Sequence, residues 1–268
     1  MAEKPVLLDL DLGSGLATIT LNRPEHLNAL NEAMVAPLVA ALKAVAEHND
    51  VRCVILAGAG DHFMAGGDLR NFSGVFSEEP EGRREHFDEM IKRLHPAILS
   101  IHTMDKPVIA QVQGAAAGFG MSLALATDLI IASEDAYFTM AYCLIGTSPD
   151  GGGTFHLPRH VGLKAAMELA LLGDRIDAQT ALQKGLVNRV VGRGDLTQDC
   201  RAWAERLANG PPKALARTKA LLRQSSDNSL GEHLDLERQA FAVSASEADF
   251  EEGVRAFLEK RQARFTGN

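Results

Sequence analysis

The sequence has few cysteines, and the three that it has do not indicate disulfides. Cys53, Cys143 and Cys200 are an odd number with wide spacing, whereas a disulfide framework uses an even set in a small domain. They fit a reducing compartment, as small core or surface residues. The N-terminus has an acid and a proline, Glu3 and Pro5, where a secretory signal needs a basic and then an apolar run. We therefore expect a cytoplasmic protein.

Long hydrophobic runs and blocks of basic residues are also missing. The longest apolar stretch, 114–126, is glycine-rich and too short to cross a bilayer. Lys and Arg total 27 against 35 Asp and Glu, a net charge of −8, and no basic segment is long enough to follow a phosphate backbone. Neither a membrane nor a nucleic acid is therefore expected as a partner.

Familiar metal and nucleotide motifs do not occur. His156 and His160 stand four apart, but Pro158 lies between them and should interrupt a helix face, and no glutamate follows in the zinc-protease pattern. There is no P-loop, and Gly118 and Gly120 lack the third glycine of a dinucleotide fingerprint. The sequence predicts no metal site and no nicotinamide site.

The chain does have the composition of a large folded domain, with 46% hydrophobic residues over 268 positions. Alternating apolar residues over 6–21, around Gly13-Ser14-Gly15, predict a β-hairpin. An apolar face over 31–48, with Asn31 as N-cap, predicts an amphipathic helix. The order strand, turn, helix then recurs, which predicts an α/β fold of stacked strand-strand-helix units. The strands are expected at 51–56, 108–112 and 129–132.

Two further regions stand out. The polar, breaker-rich segment 71–83 predicts a mobile loop beside the functional site. Beyond Gly185 the composition shifts to helix formers, with more apolar residues than a solvated tail needs, so these helices should pack on the main domain or on another subunit. They are expected at 199–208, 213–224, about 230–247 and 248–263.

Two glycine-rich segments are the most informative feature. Residues 63–69 (Phe-Met-Ala-Gly-Gly-Asp-Leu) and 113–120 (Gln-Gly-Ala-Ala-Ala-Gly-Phe-Gly) each follow an apolar run and open a predicted helix. Such turns leave backbone N–H groups free. A pair of them aimed at one point would form an oxyanion hole, which stabilises negative charge developing on a thioester or ester oxygen.

These two segments belong to a longer series that follows one family order. The others are 19–24 (Ile-Thr-Leu-Asn-Arg-Pro), 28–30 (Asn-Ala-Leu), 148–153 (Ser-Pro-Asp-Gly-Gly-Gly) and 252–261 near the C-terminus. Together they resemble the enoyl-CoA hydratase/isomerase (crotonase) superfamily over nearly the whole chain. The resemblance implies a ClpP/crotonase-like β-β-α spiral over 1–198 and a C-terminal helical region, 199–268, that builds a homotrimer, often doubled to a hexamer.

The resemblance also implies the binding residues. The oxyanion donors are the N–H groups of Gly67 and Phe119, and the basic residues at 23, 70 and 260 suit a polyanionic ligand, although solvated surface charge explains each of them as well. Coenzyme A enters as part of the substrate, and no other cofactor is implied. In relatives, Phe257 and Lys260 match positions that reach a neighbouring subunit's ligand. The full set of positions that match coenzyme A or acyl contacts is His26, Leu27, Ala65, Asp68, Leu69, Tyr142, Phe257 and Lys260.

The acid and base residues decide the reaction, and here the sequence departs from the family pattern. Crotonase-type hydratases carry two glutamates where this chain has Ser122 and Tyr142. The remaining carboxylate is Asp150, as in the branch that resembles ring-epoxide phenylacetyl-CoA isomerases. One buried carboxylate with a raised pKa can move a proton between two carbons, so an enoyl-CoA or ring isomerase is predicted. Asp150 as a turn residue that caps the helix near Gly153 is the plain alternative.

Other activities stay open. A 2-enoyl-CoA hydratase could use unorthodox residues, and an acyl-CoA dehalogenase or hydrolase could use Asp150 with His95 as base. The chain could also be a non-catalytic CoA-binding subunit. The acyl group cannot be read, because the same large side chains suit a roomy pocket or the core: Met64, Phe72, Phe76, Met90, Phe119 and Tyr142.

Overall fold

The computed structural model describes residues 4–268. Met1–Glu3 lie outside the described residues. They begin the predicted core range 1–198 and belong to the segment that was considered for a targeting signal. The strands of the described range are β1 (Val6–Asp11), β2 (Leu16–Leu21), β3 (Cys53–Gly58), β4 (Val108–Val112), β5 (Ala115–Ala117), β6 (Leu129–Ser133), β7 (Tyr137–Thr139), β8 (Ile176–Asp177) and β9 (Arg189–Val191).

The helices between and after these strands are mostly long. Within residues 4–268, no helix is both long enough and apolar enough to cross a membrane. The helices are α1 (Glu32–Glu47), α2 (Leu69–Ser73), α3 (Pro80–Thr103), α4 (Phe119–Ala126), α5 (Gly153–Leu172), α6 (Ala178–Gln183), α7 (Leu196–Ala208), α8 (Pro212–Gln224), α9 (Leu230–Ala245) and α10 (Ala248–Leu258).

A six-stranded sheet in the order β1-β2-β3-β4-β6-β9 forms the centre of the structure. The predicted hairpin is confirmed, since β1 and β2 pair antiparallel with Val6 opposite Leu21. The other neighbours in this sheet are parallel. A second sheet has the order β5-β7-β8. Because β4 leads to β5 and α4, and β6 leads to β7 and α5, the predicted strand-strand-helix repetition and the α/β class are confirmed.

The inner parallel strands β3 and β4 of the large sheet are buried on both faces, as parallel strands require, whereas the edge strand β1 is largely exposed. On β3, Val54 and Leu56 face the main core with α1, α3 and α4, whereas Ile55 faces a smaller cluster with Leu196 and Cys200 of α7. This alternation follows from the two-residue period of a strand. The predicted division at 198/199 falls inside α7 and stays a prediction.

Local sequence signals are confirmed in some places and wrong in others. Asn31 caps α1, because its side chain accepts a hydrogen bond from the N–H of Met34. The prediction of a loop over 71–83 was wrong for most of that range, since α2 extends to Ser73 and α3 begins at Pro80. Asp68, just before this segment, caps α2, and Pro80 occupies the first position of α3, so a polar residue and a proline begin helices here.

Largely buried ion pairs join the C-terminal helix α8 to Asp128, the residue just before β6. The carboxylate of Asp128 lies 2.8 Å from Nζ of Lys219 and 2.9 Å from a guanidinium nitrogen of Arg223, both on α8. Helices α9 and α10 instead expose large apolar side chains: Leu230 is 75% exposed, Phe241 69% and Phe257 84%. The apolar excess read from the sequence is thus visible on the surface, and its burial against another subunit stays a prediction.

Candidate active site

The two glycine turns predicted to carry the oxyanion donors lie in contact. Gly66 has φ 93° and Gly118 has φ 51°, the left-handed region that favours glycine. A Cβ built on Gly66 would lie 3.1 Å from the carbonyl oxygen of Ala117 and 3.7 Å from Cα of Gly118. The structure therefore brings the two segments so close together that a side chain on Gly66 would crowd the second segment.

Backbone hydrogen bonds fix the first turn on both sides. On one side the N–H of Leu30 donates to the carbonyl of Gly66 at 2.7 Å, and the N–H of Asp68 donates to the carbonyl of Leu30 at 2.8 Å. On the other side the N–H of Met64 donates to Ala115 at 2.9 Å. Segment 64–68 is thus sandwiched between 27–30 and 115–117, which gives it a defined position without belonging to either sheet.

Two amides at these turns are free to bind a ligand. Neither the N–H of Gly67 nor that of Phe119 donates a hydrogen bond to any group in residues 4–268, whereas the N–H of Gly118 is used by the carbonyl of Thr139. Phe119 is the first residue of α4, where a helix leaves its N–H groups without internal partners. The sequence predicts these same two amides as oxyanion donors, and that role stays a prediction.

Asp150 is bound by Tyr142, and Tyr142 in turn by Ser122, the two positions at which the resemblance implies glutamates in hydratases. The hydroxyl of Tyr142 donates to Oδ1 of Asp150 at 2.5 Å, and Oγ of Ser122 lies 3.0 Å from the same Tyr142 oxygen. Gly152, and not Asp150, occupies the N-cap position of α5. The alternative interpretation of Asp150 as a helix cap is therefore wrong, because its carboxylate is used elsewhere.

The surroundings change the acidity of this pair. Burial raises the pKa of Asp150 above that of an ordinary carboxyl group, while the hydrogen bond from Tyr142 and the charge of His95, exposed on α3, oppose the rise. Burial also raises the pKa of Tyr142, and the adjacent charge of Asp150 raises it further. Asp150 is thus a carboxyl group whose pKa lies closer to neutral pH than usual. It is hydrogen-bonded to a tyrosine that keeps its proton.

The glycines after Asp150 let α5 begin directly on α4. A Cβ on Gly151, where φ is 58°, would lie 2.7 Å from the ring of Phe119, and one on Gly153 would lie 2.5 Å from Oγ of Ser122. Larger residues would push the Asp150 loop away from α4. The glycine run therefore places the carboxylate beside the residue whose N–H is one of the two free amides.

The predicted coenzyme A segments form one hydrogen-bonded corner. His26 and Leu27 are exposed, Leu69 is 52% exposed, and Ala65 is joined to Leu27 by a 3.0 Å backbone hydrogen bond. The Asp68 carboxylate is already occupied, since it caps α2 and lies 2.9 Å from a guanidinium nitrogen of Arg23. The corner can contact a ligand through its backbone and exposed side chains.

Arg23 is held by neighbouring groups, and Asn28 is a buried residue to which the sequence analysis gave no role. The side chain of Arg23 is 14% exposed and also donates to the carbonyl of Ala29 at 2.5 Å, so it is not a solvated surface charge, and its predicted attraction for a polyanionic ligand stays a prediction. Fully buried Asn28 accepts from the N–H of Arg23 and donates to the carbonyls of Ala59 and His62. The Asn28-Ala-Leu motif was the available signal, but its buried partners are distant in sequence.

Phe257 and Lys260 lie away from the glycine turns of their own chain. Phe257 is on α10, which packs against α9, and it lines a cavity of about 400 Å³ with Phe250, Val254 and Phe265. Lys260 follows the end of the helix with φ 54°. Their predicted contact with a ligand would have to be made in another subunit, and it stays a prediction.

The paired histidines are structural. Helix α5 continues through Pro158, so the prediction that this proline interrupts the helix was wrong; the non-helical residue is Gly162. Burial lowers the pKa of His156 to about 4, and His160 lies 3.2 Å from the carbonyl of Leu125. In the part of the chain that the structure describes, no three His, Cys, Asp or Glu side chains are grouped to hold a metal ion.

Comparisons with known proteins agree with this geometry. A family model described as enoyl-CoA hydratase/isomerase matches residues 11–268. The chain is 40% identical over 254 residues to 1,2-epoxyphenylacetyl-CoA isomerase of Escherichia coli (strain K12), covering 94% of this chain and 95% of that protein. It is 40% identical over 257 residues to a probable enoyl-CoA hydratase of Rhodobacter capsulatus, with 96% of each covered. A solved structure of a putative enoyl-CoA hydratase/isomerase from Mycobacterium abscessus matches with a TM-score of 0.93 at 34% identity, over 98% of this chain and all of the other.

Proposed function

The chain belongs to the enoyl-CoA hydratase/isomerase family, and we propose that within this family it is an acyl-CoA isomerase in which Asp150 moves one proton between two carbons. The observation that carries the proposal is the single partly buried carboxylate beside the second glycine turn. The two positions where hydratases carry glutamates hold the hydroxyls of Ser122 and Tyr142.

The proposed reaction is the shift of a double bond in a 3-enoyl thioester. The N–H groups of Gly67 and Phe119 bind the thioester oxygen. The Asp150 carboxylate removes a proton from C2, and the C–H electrons delocalise onto that oxygen as an enolate. The protonated Asp150 then delivers the same proton to C4, and the double bond lies between C2 and C3. Each oxyanion donor is worth about two to three orders of magnitude in rate, and the base about two to four.

The same charge distribution suits a ring substrate. An enolate or related anion formed next to an activated ring needs the same two donors and one proton carrier, and the relative named 1,2-epoxyphenylacetyl-CoA isomerase supports extending the proposal to such substrates. Coenzyme A would enter as part of the substrate and no separate cofactor would take part. The corner formed by His26, Leu27, Ala65, Asp68 and Leu69 would bind it.

We extend the proposal to a homotrimer or a dimer of trimers. The exposed apolar residues of α9 and α10 would be buried between subunits, and Phe257 and Lys260 would then reach the coenzyme A bound by a neighbour. Sedimentation velocity should find three or six chains per particle. Lys260→Glu should raise KM for an acyl-CoA with little effect on kcat, because it would remove binding that is uniform along the reaction. A monomer, or an unchanged KM, would contradict this assembly.

The experiment that tests the function compares three reactions of the purified protein: 3-enoyl-CoA isomerisation, 2-enoyl-CoA hydration and halobenzoyl-CoA hydrolysis. We expect isomerisation, reduced by about two to four orders of magnitude in Asp150→Asn. Asp9→Asn, on the exposed side of edge strand β1, is the matched control and should leave the rate unchanged. Fast hydration that is indifferent to Asp150→Asn would reject the isomerase, and acyl-CoA binding without any turnover would indicate a non-catalytic subunit.

A further inference from the structure

Three side chains from different segments form one hydrogen-bonded row that ends at the proposed base. Ser122 lies on α4, Tyr142 lies on the short 3₁₀ turn after β7, and Asp150 lies in the loop before α5. Ser122 is fully buried and Tyr142 is 8% exposed. The row is therefore buried at its Ser122 end, while Asp150 at its other end is half-buried and precedes Gly151, which lies against the ring of Phe119.

The donors and acceptors in this row can be ordered. An ionised carboxylate only accepts hydrogen bonds, so the hydroxyl of Tyr142 donates to Oδ1 of Asp150. The Tyr142 oxygen is then available as an acceptor, and the Ser122 hydroxyl, 3.0 Å away, donates to it. Within residues 4–268 the Ser122 side chain makes no other hydrogen bond.

We propose that Tyr142 is a positioning residue, which binds Oδ1 of Asp150 so that Oδ2 alone takes and returns the substrate proton, and that Ser122 aligns Tyr142 for this task. The inference rests on the proposed isomerase function. The C2–H bond breaks as an Oδ2–H bond forms, and the Oδ2–H bond then breaks as the C4–H bond forms. Tyr142 and Ser122 keep their own protons throughout.

Two features make this arrangement useful. A carboxyl group whose two oxygens were both free could place the proton on either one, whereas here Oδ1 is bound by Tyr142 and Oδ2 is left for the substrate in the proposed arrangement. A hydrogen bond to Oδ1 makes that oxygen less basic, because it already shares a proton with Tyr142. The high pKa that burial gives Tyr142 keeps its proton from being lost to Asp150 during the reaction.

Tyr142 also keeps the buried acid ionisable. Its hydrogen bond is the largest influence that lowers the pKa of Asp150 against burial, and the charge of His95 on α3 is a further one. Ser122, on α4, carries no charge. Removal of the Tyr142 hydroxyl should therefore leave Asp150 protonated at pH values where the intact protein has the carboxylate.

The first experiment needs no turnover. Protein labelled with ¹³C at the aspartate side-chain carboxyl carbon is titrated by NMR, and the signal that Asp150→Asn removes is assigned to Asp150. We expect a higher midpoint in Tyr142→Phe and a smaller rise in Ser122→Ala. The chain's other tyrosine supplies the control Tyr137→Phe, which should change nothing. A midpoint that is unchanged or lower in Tyr142→Phe would overturn the inference, and Ser122→Ala provides the test if the tyrosine variant does not fold.

The second experiment follows the proton itself. With 3-enoyl-CoA deuterated at C2, the intact protein should carry part of the label to C4. Tyr142→Phe should lose more of it to solvent, and the acid limb of its kcat/KM profile should move to higher pH. Equal label transfer in both proteins would overturn the role of Oδ2. If the intact protein does not isomerise at all, the proposed function and the proton shuttle both fail, whereas the titration still decides whether Tyr142 governs the acidity of Asp150.

Discussion

Gly66 and Gly118 lie face to face where the two glycine turns meet, and a Cβ built on Gly118 would lie 3.6 Å from Cα of Gly66. The contact joins a segment that follows β3 to one that follows β5. Gly67 and Phe119, whose amides are free, each follow directly after one of these two glycines. A substitution at this contact should therefore affect catalysis beyond its effect on stability.

Gly66→Ala should reduce isomerisation strongly. The new methyl would press on the carbonyl of Ala117 at 3.1 Å, and a displacement of about 1 Å at a reacting centre can cost about a hundredfold in rate. The control is Gly162→Ala, where φ is 76° and a Cβ would meet nothing within 4 Å. Each variant places a side chain at a positive φ that L residues rarely adopt, which should cost about 1–3 kcal/mol of unfolding free energy. Urea unfolding and kcat/KM measure the two effects, and equal losses of activity would contradict the prediction.

The pH profile of isomerisation should report Asp150. The reaction needs the carboxylate, so kcat/KM should be full above the pKa of Asp150 and fall as the pH drops through it. Because burial raises that pKa, the acid limb should lie above the usual carboxyl value of about 3.9. His95→Gln removes a charge that lowers the pKa of Asp150, so the acid limb of the profile should move to higher pH. The control His86→Gln, on the same helix, should leave the acid limb in place. A limb that stays in place in His95→Gln would contradict the prediction, and halobenzoyl-CoA hydrolysis that this variant loses would instead favour the hydrolytic alternative in which His95 is the base.

Asp150→Asn should make the protein more stable at neutral pH. A carboxyl group whose pKa is higher in the folded than in the unfolded chain destabilises the fold as the pH rises above the unfolded value. The amide avoids this cost, and its oxygen can still accept from Tyr142. Scanning calorimetry should find a higher Tm for the variant at neutral pH, with a gain that shrinks toward acid pH. Asp9→Asn should show no gain, and a lower Tm of Asp150→Asn at neutral pH would argue against the raised pKa.

Much of the fold could be predicted from the sequence, because its signals are local. The hairpin over 6–21, the cap at Asn31 and the recurring strand-turn-helix order each depend on neighbouring residues, and all are confirmed. The family resemblance and the crotonase-like fold are confirmed as well. The loop expected over 71–83 was wrong at 71–73 and 80–83, because α2 continues into this range from its cap at Asp68 and because Pro80 is suited to the first turn of a helix.

The details of the site could not be predicted, because they depend on contacts between distant segments. Asn28 bonds to carbonyls of Ala59 and His62, and nothing in its own neighbourhood reveals those partners. Ser122 and Tyr142 were recognised as missing glutamates, but not as a row leading to Asp150. A side chain's hydrogen-bond partner is a property of the packed chain.

Asp128→Asn should destabilise the protein by about 3–5 kcal/mol, because it leaves the largely buried charges of Lys219 and Arg223 without their partner. The control is Asp227→Asn, which breaks a 3.5 Å pair with Arg159 at a carboxylate 62% exposed. Such a surface pair is worth about 0–1 kcal/mol. Urea unfolding of the two variants measures the difference. Similar small losses would show that α8 is fastened mainly by other contacts.

The proposed oxygen-binding groups are main-chain amides, which every amino-acid replacement except proline leaves in place. Mutations can therefore change the side chains at 122, 142 and 150 while the amides that would polarise the substrate are kept. Since those three side chains touch one another, a change of reaction would require coordinated replacements, and single replacements would pass through poorly active ancestors. A laboratory attempt to convert this chain into a hydratase should accordingly mutate positions 122 and 142 together.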